Sequence, residues 1–207
     1  MPYSCNHFIL LRARLASLAK TFLIDQIKAE KQSPNTFSPD LNKIAAFILL
    51  FHAEIEWFLE AKAKSRLIDI KARLQASGQI SRIELPEFFL LEKVVDVEKN
   101  SDVFLDEKKL KDHVLSIIDK CCKRVDENHG VKEFSFLFLS YCAGKSFIEI
   151  EINGALKNTL NSYGKQRGSL SHKSLSQVTN INSAGTEFDT AKNILKSLSN
   201  HFSISRL

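Results

Sequence analysis

Phe8, Leu11, Leu15, Leu18 and Phe22 recur at steps of three and four, the period of a helix burying one face. They predict an amphipathic first helix reaching about Glu30. Ser33 to Asp40 is a loop by its polar and proline content. Ser38 is the expected cap of a second helix, with Pro39 in its first turn and Asp40 set against its dipole. That helix is predicted to run to about Ala76, with Ile44, Ile48, Phe51, Ile55 and Leu59 along one face. Between Ala45 and Phe51 it is apolar on more than one face, so it is expected to be central and heavily buried.

Ser77-Gly78 closes this helix, and residues 77–105 show mixed periodicity, predicting an irregular insertion. Asp106 is placed to cap a third helix bearing Leu110, Val114, Ile117, Ile118, Cys121 and Val125, which Asn128-His129-Gly130 stops. A fourth apolar segment covers Phe134 to Cys142. Ile148 to Ile152 alternates like a short strand, after which Leu156 and Leu160 return to helical spacing from Asn153 to Lys165. The last helix is expected from Glu187 to Phe202, with Phe188, Ala191, Ile194, Leu195 and Leu198 inward. The pattern predicts one all-α domain over 1–207, a helical bundle of about five or six helices with an insertion near 77–105.

Composition agrees with that architecture: seven Gly and four Pro leave few breakers, and fifteen Phe supply core volume. The formal charge is +5, and its distribution is uneven. From Asn161 onward Lys165, Arg167, Lys173, Lys192, Lys196 and Arg206 face only Glu187 and Asp189, so +4 lies there and +1 in the first 160 residues. Such an excess suits an anionic substrate, although solvated lysines on a terminal helix are an equal alternative. Cys5, Cys121, Cys122 and Cys142 have neither metal-site nor disulfide spacing and are expected to be thiols in a reducing compartment. Arg12 and Arg14 interrupt the apolar start, and the run Ile44 to Phe51 is too short to span a bilayer. A cytoplasmic protein without a membrane partner is the expectation.

Little conventional chemistry can be assembled. Ala143-Gly144-Lys145-Ser146 resembles the end of a phosphate-binding loop, but Leu139 stands where that loop needs its first glycine. His7, His52, His113, His129 and His201 are scattered without zinc-site spacing, so surface or partly buried histidines and no metal or cofactor are expected. Glu54 or Glu56 belongs either to a solvated face or to an inward carboxylate that orients an active-site group. Arg167 and His172 remain. Arginine is a permanent planar cation suited to phosphate, and histidine exchanges a proton near neutral pH. Five positions apart on an unbroken helix they diverge by about 140°. A break at Gly168 would let them converge; an ordinary helix C-terminus would leave them as charges on exposed carbonyls.

Three stretches bear a wider likeness. Leu160-Asn161-Ser162-Tyr163-Gly164-Lys165-Gln166-Arg167-Gly168-Ser169-Leu170-Ser171-His172-Lys173-Ser174 resembles the R-x(4–6)-H region of the HEPN superfamily, in its ribosomal L-PSP-linked subgroup. Asn128 to Lys132 resembles the turn between that subgroup's middle helices, and His52 to Glu60 its acidic second helix. The resemblance implies an all-α domain, a homodimer, and metal-independent RNA cleavage of toxin or phage-defence type. It implies Arg167 and His172 as the catalytic pair, with Lys165, Ser169, Ser171, Lys173 and Glu54 as supporting or RNA-binding residues. Its partners would be RNA, such as tRNA or mRNA, and an antitoxin or other defence-system protein. The superfamily also includes non-catalytic modules that bind RNA or a partner protein, and Gly168 directly after the arginine departs from many active members.

Overall fold

The computed structural model describes residues 5–81, 84–95, 106–145, 154–172 and 181–204. Among these residues it holds eight helices and no strand: α1 Asn6–Phe22, α2 Ile24–Gln32, α3 Leu41–Ser77, α4 Glu84–Val95, α5 Glu107–Asp126, α6 Glu133–Cys142, α7 Gly154–His172 and α8 Ala184–His201. The all-α architecture is as expected, but the count exceeds five or six for two local reasons. The first expected helix divides at Leu23, and residues 77–105, expected to be irregular, contain α4. Its start is a reciprocal cap: Ser81 Oγ accepts from Glu84 N–H at 3.1 Å while Glu84 Oε2 accepts from Ser81 N–H at 3.2 Å. The alternating stretch Ile148 to Ile152 lies outside the described residues.

Two other helix starts differ from expectation. Asp40, not Ser38, caps α3, its carboxylate accepting from Lys43 N–H at 3.1 Å. Ser183 caps α8 by accepting from Thr186 N–H. That places the start of α8 before Glu187 and sets its inward face as Ala184, Glu187, Ala191, Ile194 and Leu198. Phe188 and Leu195, expected inward, are only half-buried. Asp106 caps α5 as its sequence suggested, accepting from Lys108 and Lys109 N–H.

The helices sort into two compact units. One comprises Met1–Phe58, His129–Leu137 and Ser146–Leu207; the other comprises Leu59–Asn128 and Phe138–Lys145. In the first, Phe58 meets Phe8 and Phe202 edge-on, each with ring centroids 5.8 Å apart, and Phe51 meets Tyr163 at 6.1 Å. Ile44, Phe47, Ile48 and Ile55 of α3 are fully enclosed. Each such side chain contributes about 1.5–3 kcal/mol relative to exposure, so this part of α3 anchors the core of the unit. In the second unit α4 packs on α5, the later part of α3 is tied to them by the Arg66–Glu87 and Lys71–Asp119 ion pairs, and Leu67, Ile70, Phe88, Leu91, Ile117 and Cys121 are buried. Arg66 there donates to Glu87 at 2.6 Å and to the Cys142 carbonyl at 3.3 Å. Among the described residues no helix is long and apolar enough to cross a membrane.

Candidate functional site

Helix α7 carries the arginine and histidine, and it does not break at Gly168. It continues to His172, because Leu170 beyond the glycine is buried and a single helical glycine costs only about 1 kcal/mol. Ser171 Oγ turns back onto the helix, donating to the carbonyls of Arg167 at 3.0 Å and Gly168 at 3.3 Å. The convergence that a break would have allowed is therefore absent. Within one chain Arg167 and His172 point about 140° apart. Arg167 is half-buried on the side shared with Leu160, Tyr163 and Gly164, whereas His172 is exposed.

The inward side of α7 meets α3 through polar groups. The His52 ring lies nearly flat against Tyr163, with centroids 6.3 Å apart and planes 17° from parallel. Gly164 lies at this contact, with the Lys132 stem across it. A Cβ there would stand 3.6 Å from His52 Nε2 and 3.3 Å from Lys132 Cγ. His52 is 2 % exposed, so the expectation of a surface or partly buried histidine fails for it, and equally for His201 at 2 %. Its Nδ1 has no hydrogen-bond partner among the described residues, and Glu56 Oε2 lies 3.9 Å away. Burial foremost, then the cations of Arg167 and Lys132, pushes His52 down from 6.5 to about 4. The imidazole is neutral at pH 7, with two cations close enough to act on it.

Glu56, one helical turn after His52, accepts a hydrogen bond from the Gly130 backbone N–H. Gly130 has φ +123°, a conformation glycine takes without strain. The Asn128-His129-Gly130 stop thus also anchors the segment that delivers Lys132. Glu187, which acts on Tyr163, is completely buried, and its Oε1 accepts from Gln166 at 2.9 Å and Asn182 at 2.8 Å. Tyr163 Oη and Glu187 Oε2 are both buried without a partner among the described residues. Burial first, and the Glu187 carboxylate second, push the Tyr163 phenol far above its ordinary range. It therefore acts as a neutral group.

The remaining expected residues are dispersed. Lys165 and Ser171 are exposed and Ser169 is half-buried, all on α7; Lys173 lies outside the described residues. Glu54 pairs with Arg14 at 2.8 Å. It sits two positions from His52, so it projects from a different side of α3, and the carboxylate beside His52 is that of Glu56. His52, Lys132, Tyr163 and Glu187 were not singled out as site residues from the sequence. The available signal was the i, i+4 spacing of His52 and Glu56 beside the apolar run Ala45 to Phe51. Comparison with family models, curated proteins and solved structures gave no match.

Proposed function

We propose that this chain is a metal-independent RNA endonuclease of toxin or phage-defence type, working as a cytoplasmic homodimer with Arg167 and His172 as its catalytic pair. One observation carries the reading: no acidic side chain among the described residues pairs with Arg167, which stands half-buried and, like Lys132, acts on a neutral imidazole. A partly desolvated guanidinium gains most from an anion, and phosphate fits its donor fork. The R-x4-H resemblance supplies the rest of the proposal, RNA as the anion and cleavage as the outcome.

In that reaction the ribose 2′-oxygen bonds to the adjacent phosphorus while the bond to the 5′-oxygen breaks. One base takes the 2′-hydroxyl proton and one acid protonates the departing 5′-oxygen, leaving a 2′,3′-cyclic phosphate and a 5′-hydroxyl. Arg167 stabilises the charge that develops on the phosphoryl oxygens. His172 of each protomer is exposed and suited to proton transfer. Because α7 keeps Arg167 and His172 apart within a chain, the pair is assembled from two copies.

Purified protein incubated with total RNA in EDTA tests this. Wild type should cleave, and His172→Ala should slow cleavage by about 10²–10⁴-fold, the usual weight of one proton-transfer group. Cleavage undiminished in His172→Ala removes that residue from the chemistry. The same straight helix favours a second reading, a non-catalytic module that binds RNA or a partner protein through Arg167. Its signature is intact RNA with wild type and weaker binding by Arg167→Ala.

A further inference from the structure

We propose that Lys132 and Arg167 hold one phosphodiester oxyanion between them, and that filling this site drives a proton onto the buried imidazole of His52. The inference rests on the site being a phosphate site, and it adds a second cation, Lys132, and a coupled group, His52. The Lys132 stem crosses α7 at Gly164, its Cγ 3.3 Å from where a Cβ would stand, and His52 Nε2 lies 3.6 Å from the same point. Arg167 follows three positions later on that side of the helix. The Lys132 stem and Arg167 thus share the side of α7 that meets the imidazole, and both cations act on it.

The groups facing His52 explain the coupling. Glu56 comes from its own helix, Lys132 from the segment before α6, and Tyr163 and Arg167 from α7; Glu187 of α8 acts on Tyr163. With the site empty, both cations oppose a proton on the ring. An anion between them cancels that opposition. The buried, unpaired Nδ1 then has the Glu56 carboxylate 3.9 Å away to stabilise its N–H. Coupling of this kind is reciprocal: if binding adds a proton, lower pH must tighten binding.

The test uses a six-nucleotide oligoribonucleotide with 2′-O-methyl groups and no terminal phosphate. It cannot undergo 2′-hydroxyl attack, and its diesters keep one charge throughout the range studied. The His52 ring resonance is followed against pH by NMR, with affinity measured in parallel. Saturation should raise the His52 midpoint by about one pH unit, from about 4, and affinity should rise about twofold between about pH 7.5 and about pH 5, approaching tenfold only below about pH 4. Lys132→Met keeps the aliphatic stem over Gly164 and removes the charge at an exposed position, so folding is retained. It should weaken binding about tenfold and raise the His52 midpoint in the free protein. Binding that leaves His52 unmoved, unchanged affinity in Lys132→Met, or no binding at all overturns the proposal. Intact unmodified RNA with a shifted His52 sinks the endonuclease reading alone; cleaved RNA with an unmoved His52 sinks this one alone.

Discussion

His52 and Tyr163 hold their rings near-parallel and offset, centroids 6.3 Å apart, joining α3 to α7 within the unit that carries Arg167. Tyr163 is 2 % exposed, and its hydroxyl has no partner among the described residues. The ring therefore stabilises the interface while the hydroxyl contributes nothing or opposes it. Tyr163→Phe should match wild type or gain up to about 1–2 kcal/mol, since a buried unpaired hydroxyl is costly. Tyr163→Ala should lose about 3–5 kcal/mol, as for other large aromatic truncations in cores. Urea unfolding midpoints measure both. A Phe variant less stable by more than about 1 kcal/mol would show that the hydroxyl has a bonded partner.

The neutral state of His52 makes stability depend on pH. Its folded-state value of about 4 lies below the ordinary 6.5, so below pH 6.5 the unfolded chain binds the extra proton more readily. The contribution, about 2–3 kcal/mol, is fully present above pH 6.5 and is lost as pH falls toward 4. Unfolding measured across that window should show a slope that flattens in His52→Asn. An equal slope in the variant would assign the acid sensitivity to carboxylates instead.

Gly168 sits inside a continuous helix, and a Cβ added there meets nothing within 4 Å. Gly168→Ala should raise stability by about 0.5–1 kcal/mol through backbone entropy alone. Circular dichroism should show helicity retained or slightly increased. A destabilised or less helical variant would mean that the segment needs glycine's freedom.

Arg167→Ala and His172→Ala protomers, each inactive alone, discriminate where the proposed catalytic pair forms. If each site takes arginine from one copy and histidine from the other, mixed dimers hold one intact site. Random mixing then restores about a quarter of wild-type cleavage. Should both groups come from one chain, mixing restores none. Subunit exchange followed by an RNA cleavage assay reads this directly.

Local chemistry made much of the helical framework legible in the sequence. The three- and four-residue steps through α1, α3 and α5 mark buried faces, and Asp106 is a cap because its carboxylate reaches the first free N–H groups. The Ser81–Glu84 cap was equally local but hidden, because the apolar residues after it lack a clean helical period. The site was legible only in part. The Arg167 and His172 positions stand out by residue type, and helix geometry gives their divergence once the helix is known to be unbroken. Whether it breaks at Gly168 depends on burial of Leu170, which requires the rest of the fold.

By itself the sequence determined an all-helical chain, a central apolar α3, and an arginine close to a histidine in a basic final quarter. Tertiary structure alone decided which groups surround that arginine. Lys132 and Arg167 are separated by a helix and its flanking segments, yet both act on His52, because packing brings the Lys132 stem and the His52 ring together at Gly164 of α7. Glu187 likewise takes the buried place expected of Phe188, with Gln166 and Asn182 both donating to its Oε1 there. Periodicity reports which face of a helix is apolar. It carries no information on which distant polar groups will meet across that face, since those meetings are fixed by packing.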